Sequence, residues 1–350
     1  MTALPTGTIL IRTHDHRIVF RAHRRSMVVT ATLTVLTTAV ALWSLTVGHF
    51  PLTAADVMRV LTGGGTVIEN NVLFSDRMPR VTVALLTGAA FALSGAILQR
   101  IASNPLVSPD VIGINAGAAF GALIVITVIG GAGLSIVAGA LTGALLTIGL
   151  ILAIANKNGL TGYRLVLVGI GVTAMLSSMI ALVLTRANIY QAHTAAMWLT
   201  GSLANRAWTH ALIIGVACGV LVPALLLLSR SLQLLELGDE LAHTLSGQRG
   251  GNRVPLVIVA VGLAAMATAA AGPIGFVALV APQIVRRLLK ERSPGLVPAA
   301  AAGAALVVSA DLAARTLFPA ELPVGVVTAI IGAPVLVYLL ARATRIGHAG

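Results

Sequence analysis

Apolar stretches long enough to cross a membrane recur along almost the whole chain, and they constrain its fold more than any other feature. A helix of about 20 apolar residues crosses a hydrocarbon core of roughly 30 Å and satisfies its own backbone hydrogen bonds there. We predict ten spans, at residues 26–48, 79–101, 111–130, 132–155, 164–185, 208–229, 254–271, 274–289, 296–314 and 324–341. Only 10% of the residues are charged, against roughly 25% in a soluble domain. The sequence therefore predicts an all-α, polytopic membrane protein, with a transmembrane domain at residues 26–345 after a basic tail at residues 1–25.

The distribution of lysine and arginine predicts the orientation of these spans. Ten spans place both ends of the chain on one side, and 17 of the 23 basic residues fall on that side. Positive charge is enriched in cytoplasmic loops, so we expect both termini in the cytoplasm. Topology also explains the net charge of +12 without nucleic acid, because the basic residues lie between apolar runs rather than along one face.

Several kinds of chemistry lack their motifs in this sequence. There is no Gly-x-x-x-x-Gly-Lys-Ser/Thr phosphate loop, so another subunit must bind the nucleotide if ATP drives transport. There is no His-Glu-x-x-His pair and Cys218 is the single cysteine, so we predict no catalytic residue, no metal site and no cofactor bound by this chain. The acidic residues fall in loops or near span ends, which disfavours a proton-driven carrier.

Glycines at helical spacing predict close contacts between two of the spans. Gly113, Gly117 and Gly121 form one stripe, and Gly139 and Gly143 repeat the spacing in the next span. Helices in lipid associate by close packing of small residues. These stripes therefore indicate a compact bundle and say little about what it transports.

Proline and glycine interrupt several apolar segments, at residues 104–106, 108–110, 272–273 and 281–282. A break at membrane depth is tolerated only where protein or a water-filled cavity satisfies the freed backbone groups. Such breaks point to a translocation path or are simple helix ends, and the sequence favours neither interpretation.

One long polar connection, at about residues 231–250, lies on the predicted cytoplasmic side. Its centre has apolar residues at helical spacing and acidic residues elsewhere, which predicts a short amphipathic helix. Such a helix docks into a groove of a soluble partner or lies among lipid headgroups, and its acidic character favours the protein partner. The residues concerned are Leu237, Gly238, Asp239, Glu240, Leu241, His243 and Leu245.

Six ordered blocks of the sequence resemble the iron-siderophore and cobalamin permease family of binding-protein-dependent ABC importers. The blocks are residues 77–80, 94–96 with Gln99, 104–106 with 109–110 and Gly113, 237–240, 272–276 and 321–328. Within that family, residues 108–113, 169–172 and 201–203 are most similar to the ferric enterobactin permeases.

The resemblance implies a type II ABC importer permease bundle of ten helices in the bacterial cytoplasmic (inner) membrane. It implies four kinds of partner: a second permease subunit, two ATPase subunits that bind ATP and Mg, an extracytoplasmic siderophore-binding protein, and a ferric-siderophore substrate. A heterodimer with a paralogous subunit is favoured over an identical pair. Cobalamin or haem is the alternative substrate; a proton-coupled secondary transporter and a membrane-embedded enzyme are weaker alternatives.

The resemblance also implies roles for particular residues. Arginines at the outer mouth of relatives meet carboxylates of the binding protein, and the matching positions are Arg77, Arg80 and Arg315. The alternative for Arg77 and Arg80 is that they anchor a helix end. The connection at 231–250 corresponds to the helix that couples to the ATPase. Candidates for the cytoplasmic gate and pathway are Asn104, Pro105, Leu106, Gly162 and Tyr163.

One position departs from the family pattern. Gln283 stands where relatives commonly have histidine, after the proline of residues 281–282. A carboxamide forms hydrogen bonds but does not titrate. A role that needs protonation at this position is therefore not expected.

Overall fold

Apart from one pair of strands, the regular elements in the described part of the chain are helices. The computed structural model describes residues 8–12, 19–155, 161–235, 253–290 and 295–347. Strands β1 (Thr8–Arg12) and β2 (Val19–His23) pair antiparallel in the basic tail, with Thr8 opposite His23. The all-helical prediction did not include this pair, whose β-branched and aromatic residues favour extended backbone.

The helices follow the apolar stretches. In chain order they are α1 (Arg24–Thr46), α2 (Ala54–Leu61), α3 (Val67–Asn71), α4 (Met78–Ile101), α5 (Pro109–Ile112), α6 (Ile114–Ile124), α7 (Leu134–Ala155), α8 (Gly162–Arg186), α9 (Ile189–Leu199), α10 (Trp208–Leu227), α11 (Ser229–Leu235), α12 (Arg253–Ala271), α13 (Val277–Leu289), α14 (Leu296–Thr316) and α15 (Val324–Gly347). Two π-helical turns, Val72–Arg77 and Val125–Ile129, lead into α4 and extend α6.

Each of the ten predicted spans overlaps a helix, and the helix at residues 274–289 is shorter than its predicted span. Among the described residues, seven helices have the length and composition of a span, and Ile114–Ile129 and Val324–Tyr338 are shorter apolar helices. Helix α13 has 13 residues, about 20 Å, where residues 274–289 were predicted to span. The helix begins three residues later than predicted because the backbone before it leaves helical geometry, with φ +80° at Gly272 and φ +66° at Phe276.

Helices α4 and α12 form the centre of the bundle. In their apolar stretches, 78% and 72% of the residues are buried inside the bundle. In α8 and α10 the buried shares are 17% and 22%, so these helices lie at its periphery. Helix α4 packs against α14, α12, α13 and α10. It approaches two of them through glycine: a Cβ atom on Gly88 would lie 2.4 Å from the carbonyl oxygen of Gly303, and one on Gly95 would lie 1.8 Å from that of Ala278.

The predicted glycine stripes lie between α6 and α7. A Cβ atom on Gly121 would lie 2.1 Å from the carbonyl oxygen of Gly139, and one on Gly117 would meet the backbone of Gly143 at 2.9 Å. The predicted close contact is confirmed for these residues. Gly113 has a different role from Gly117 and Gly121. It takes the left-handed conformation, φ +94°, that joins α5 to α6.

Helices α2 and α3 are short and lie between α1 and α4, beyond the ends of the spans. Each begins with a reciprocal capping box, formed by Thr53 with Asp56 and by Thr66 with Glu69. Hydrogen bonds from the hydroxyl and the backbone N–H of Thr53 hold the pKa of Asp56 below its ordinary value. Arg59 forms ion pairs with Asp56 and Glu69, which joins the two helices.

Candidate functional site

A buried ion cluster joins α4 to α14 at the end of the bundle where α1 finishes, which we call the far end. The guanidinium group of Arg80 donates through Nε and Nη2 to the Asp311 carboxylate, at 2.7–3.1 Å. Its Nη2 also lies 2.6 Å from Glu321, and Arg315 lies 3.2 Å from Asp311. The side chain of Asp311 is 2% exposed, so its charge is compensated almost entirely by the two arginines.

Two arginines hold the C-terminal end of α1. Arg77 donates to the carbonyl oxygens of Leu45, at 2.6 Å, and Phe50. Arg315 donates to the carbonyl oxygen of Val47 at 3.0 Å. The last carbonyls of a helix lack partners within it, and positive charge at this end is stabilised by the helix dipole. Arg77 and Arg315 thus fasten α1 to α4 and α14.

These contacts bear directly on the arginines predicted to dock a binding protein. The structure brings Arg77, Arg80 and Arg315 together at one end of the bundle, as the sequence suggested. Arg77 and Arg80 are only 3% and 8% exposed, and all three guanidinium groups have partners within the chain. For Arg77 and Arg315 the contacts are those of the helix-anchoring alternative. Docking through these residues remains a prediction.

The predicted gate turn follows the end of α4, at the opposite, near end of the bundle where α1 begins. The N–H of Asn104 donates to the carbonyl oxygen of Gln99 at 3.0 Å, which closes the helix. The Asn104 side-chain oxygen accepts from the N–H of Leu106 at 2.9 Å. An asparagine that binds the backbone two residues ahead is a common device for reversing the chain. The sequence Asn104-Pro105-Leu106 therefore forms a tight turn on its own.

Gly162, at the start of α8, meets the end of α4 just before the gate turn. A Cβ atom on Gly162 would lie 2.5 Å from the Cα atom of Ala102 and 2.8 Å from the carbonyl oxygen of Ile101. The start of α8 therefore packs directly on the end of α4, and the shared gate remains a prediction. The neighbouring Tyr163 is 76% exposed, so its side chain is not part of this contact.

Two buried carboxamides tie the gate turn to α13. The Nε2 atom of Gln283 donates to the side-chain oxygen of Gln99 at 2.7 Å and to the carbonyl oxygen of Pro105 at 3.3 Å. Gln99 in turn donates to the carbonyl oxygens of Ala278 and Leu279, at 3.3 and 3.4 Å. A glutamine amide has two hydrogens on one nitrogen and reaches both acceptors, which a neutral imidazole with a single N–H cannot do.

A carboxylate lies at the broken link between α12 and α13. Asp110 accepts hydrogen bonds from the Asn115 side-chain amide and from the backbone N–H of Phe276. The Asn115 oxygen accepts from the Thr268 hydroxyl at 2.8 Å. Asp110 thus sits at the N-terminal end of α13, where the helix dipole favours a negative charge. Sequence reasoning noted the break at residues 108–110 but missed this network.

Replacing Asp110 with alanine is expected to lower both stability and transport. The Phe276 N–H and the Asn115 amide would be left buried without an acceptor, at about 1–3 kcal/mol for each group. The measurement is uptake per folded complex, together with the thermal unfolding midpoint in detergent. Glu69→Gln is the control, because Glu69 pairs with the exposed Arg59 and lies outside both the Asp110 network and the ion cluster. Equal behaviour of the two variants would contradict a role for the Asp110 network.

The predicted coupling residues Leu237, Gly238, Asp239, Glu240, Leu241, His243 and Leu245 lie outside the described residues. Helix α11 leads into this segment, with Leu232 and Leu235 buried against the bundle. The amphipathic helix remains a prediction. In the described part of the chain, no group of three or more His, Cys, Asp or Glu residues could hold a metal ion.

Comparisons with known proteins place this arrangement in a family. The FecCD transport family matches residues 36–342. The chain is 40% identical to the ferric enterobactin transport system permease protein FepG of Escherichia coli (strain K12), over 92% of this chain and 98% of that protein. It is 36% identical to the probable siderophore transport system permease protein YfhA of Bacillus subtilis (strain 168), over 91% and 96% respectively.

A solved structure agrees with the sequence comparisons. It is an inward-facing metal-chelate type ABC transporter, with a TM-score of 0.79 and 29% identity, covering 90% of this chain and 99% of that one. The helical bundle, with its central α4 and its broken link before α13, is therefore that of a membrane-embedded ABC transporter permease. The chain belongs to the FecCD transport family. The predicted family and the predicted many-helix permease fold are both confirmed.

Proposed function

We propose that the protein is the permease subunit of an ABC importer that moves ferric siderophores across the bacterial cytoplasmic membrane. The observation that carries this proposal is the match, along nearly the whole chain, to permeases named for iron chelates. Their names specify ferric enterobactin, iron(3+)-hydroxamate and Fe(3+)-citrate. The chain itself is a transport subunit rather than an enzyme.

The partners follow from this function. The sequence has no phosphate loop, so two ATPase subunits would bind ATP and Mg and supply the driving force. A second permease subunit, paralogous in the favoured heterodimer, would complete the path, and an outer binding protein would deliver the substrate. Both termini would lie in the cytoplasm, which puts the gate turn on the inner face and the ion cluster on the outer face.

The contacts suggest how motion at the ATPase would reach the gate. The segment at about residues 231–250, proposed to dock on the ATPase, precedes α12 in the sequence. Thr268 of α12 bonds to Asn115, and the Phe276 N–H just beyond α12 bonds to Asp110. A displacement of α12 would therefore act on α5 and, through the short link before α5, on the turn at residues 104–106. Gly162 packs on the end of α4 just before this turn. This is a route for alternating access between outward-open and inward-open states.

The geometry at the far end supports different roles for the three arginines predicted to dock the binding protein. Arg77 and Arg315 are used to hold α1, so their proposed role is to keep the far end in shape. Arg80 is the member of the set that contacts a partly exposed carboxylate, Glu321. We assign docking of the binding protein chiefly to Arg80.

Reconstituted transport tests this function. Vesicles that contain the complete complex, with binding protein outside and ATP inside, should take up radiolabelled ferric enterobactin or a ferric hydroxamate. Vesicles that contain this chain alone should take up none. Accumulation by the lone chain without nucleotide would contradict the importer and favour a secondary carrier. Uptake of cobalamin or haem by the full complex, without uptake of iron chelates, would overturn the proposed substrate.

A further inference from the structure

The two carboxylates that bind Arg80 differ sharply in exposure. Asp311 is 2% exposed, and it contacts Arg80 through both of its oxygens as well as Arg315. The side chain of Glu321 is 31% exposed and forms an ion pair with Arg80, at 2.6 Å. Solvent weakens an exposed ion pair, whereas a buried pair cannot be broken without stranding a charge. Asp311 is therefore the permanent partner of Arg80, and Glu321 is its replaceable partner.

Glu321 belongs to the link between α14 and α15. The residues before it, Leu317 and Phe318, are 73% and 37% exposed, and α15 begins at Val324. The N–H of Leu322 donates to the carbonyl oxygen of Ala314 at 3.3 Å, which fastens the link just after Glu321. The Glu321 side chain can thus leave Arg80 through a change in its own rotamer, while the backbone on either side stays in place.

The charges around Arg80 favour an acidic group in the place that the Glu321 side chain would leave. Three guanidinium groups, those of Arg77, Arg80 and Arg315, lie among the carboxylates of Asp311, Glu321 and the exposed Asp76. With Glu321 in place the cluster is balanced. When Glu321 turns away, one positive charge is in excess, and Arg80 presents donors to solvent at the far end of the bundle.

We propose, on the basis of the docking role assigned to Arg80, that Glu321 is an internal placeholder that a carboxylate of the binding protein displaces. A second carboxylate reproduces the lost ion pair, so the exchange does not leave Arg80 unpaired in the interior. The placeholder keeps Arg80 compensated whenever no binding protein is docked.

The test is the affinity of the binding protein for the complete permease–ATPase complex in nanodiscs. Glu321→Gln removes the competing charge but keeps the shape, so binding should tighten about two- to fivefold, the amount expected for a partly exposed ion pair. Glu69→Gln is the matched control, because it removes one far-end carboxylate that pairs with Arg59 rather than with Arg80. It should change the affinity less than Glu321→Gln does.

The partner experiment uses Arg80→Gln and Arg80→Lys, with Arg186→Gln as the control at an exposed far-end arginine. Both Arg80 variants should weaken binding, and the lysine variant retains a charge opposite Asp311 should the glutamine variant fail to fold.

If a folded Arg80 variant binds normally, the docking role itself is wrong. If Arg80 variants weaken binding but Glu321→Gln leaves it unchanged or weaker, docking stands and the placeholder is overturned. A change in iron-chelate uptake with unchanged affinity for the binding protein would assign Arg80 to the substrate and also overturn the placeholder.

Discussion

Replacing Gly95 with alanine is expected to prevent assembly of the folded permease. A Cβ atom at this position would lie 1.8 Å from the carbonyl oxygen of Ala278 and 2.6 Å from its carbonyl carbon. Both atoms belong to the backbone of α13, so no side-chain rotation relieves the overlap. Helices α4 and α13 would have to separate, which would also break the bonds from Gln99 to Ala278 and Leu279.

The yield of monodisperse protein in detergent and its transport activity measure this effect. Gly149→Ala is the matched control, because Gly149 lies inside α7 and a Cβ atom there has no neighbour within 4 Å. We expect Gly149→Ala to behave as the unmodified protein and Gly95→Ala to yield little or no folded permease. Normal yield and uptake for Gly95→Ala would show that α4 and α13 do not approach as closely as described.

Asp311→Ala is expected to produce the second large loss, by removing the buried carboxylate shared by Arg80 and Arg315. Breaking a buried ion pair from one side costs about 3–5 kcal/mol, because the remaining charge is left uncompensated. Glu321 compensates only part of this charge, since it contacts Arg80 and is 31% exposed. The unfolding midpoint in detergent should fall markedly.

The control for Asp311→Ala is an ion pair of the same chemistry at the surface. Arg59→Gln breaks the pairs with Asp56 and Glu69, but the Arg59 side chain is 53% exposed. Exposed pairs contribute about 0–1 kcal/mol, so its midpoint should shift little. Comparable shifts in the two variants would mean that Asp311 is not buried in the folded protein.

Hydropathy was sufficient to locate the spans, because length and apolar character are the properties that a bilayer selects. It could not show that α13 is short. The segment 274–289 is apolar throughout its first half, and its helix starts late because Phe276 takes a left-handed conformation that is uncommon for a bulky residue. Conformations of this kind depend on tertiary contacts rather than on local sequence.

The candidate site was only partly accessible from the sequence. Charge distribution placed Arg77, Arg80 and Arg315 at one end, but it gave no sign of Asp311 as their shared partner. A signal for the inner network was nevertheless present, since Gln99 and Gln283 are polar residues within apolar segments. Polar side chains within a membrane need hydrogen-bond partners, so the sequence could have predicted that Gln99 and Gln283 bind each other.

The fastening of α1 has a consequence for the order in which the protein is made. The bonds from Arg315 to Val47 and Ser44 join residues 268 and 271 positions apart, so the ribosome must synthesise most of the chain before they can form. Helix α1 is synthesised before α4 and α14, and it is only 22% buried in the finished bundle. Until α14 arrives, the Val47 carbonyl and the Ser44 hydroxyl lack their Arg315 donor, whereas Arg77 can already bind Leu45 and Phe50. Helix α1 is thus inserted before α14 but is fully locked in place only after it.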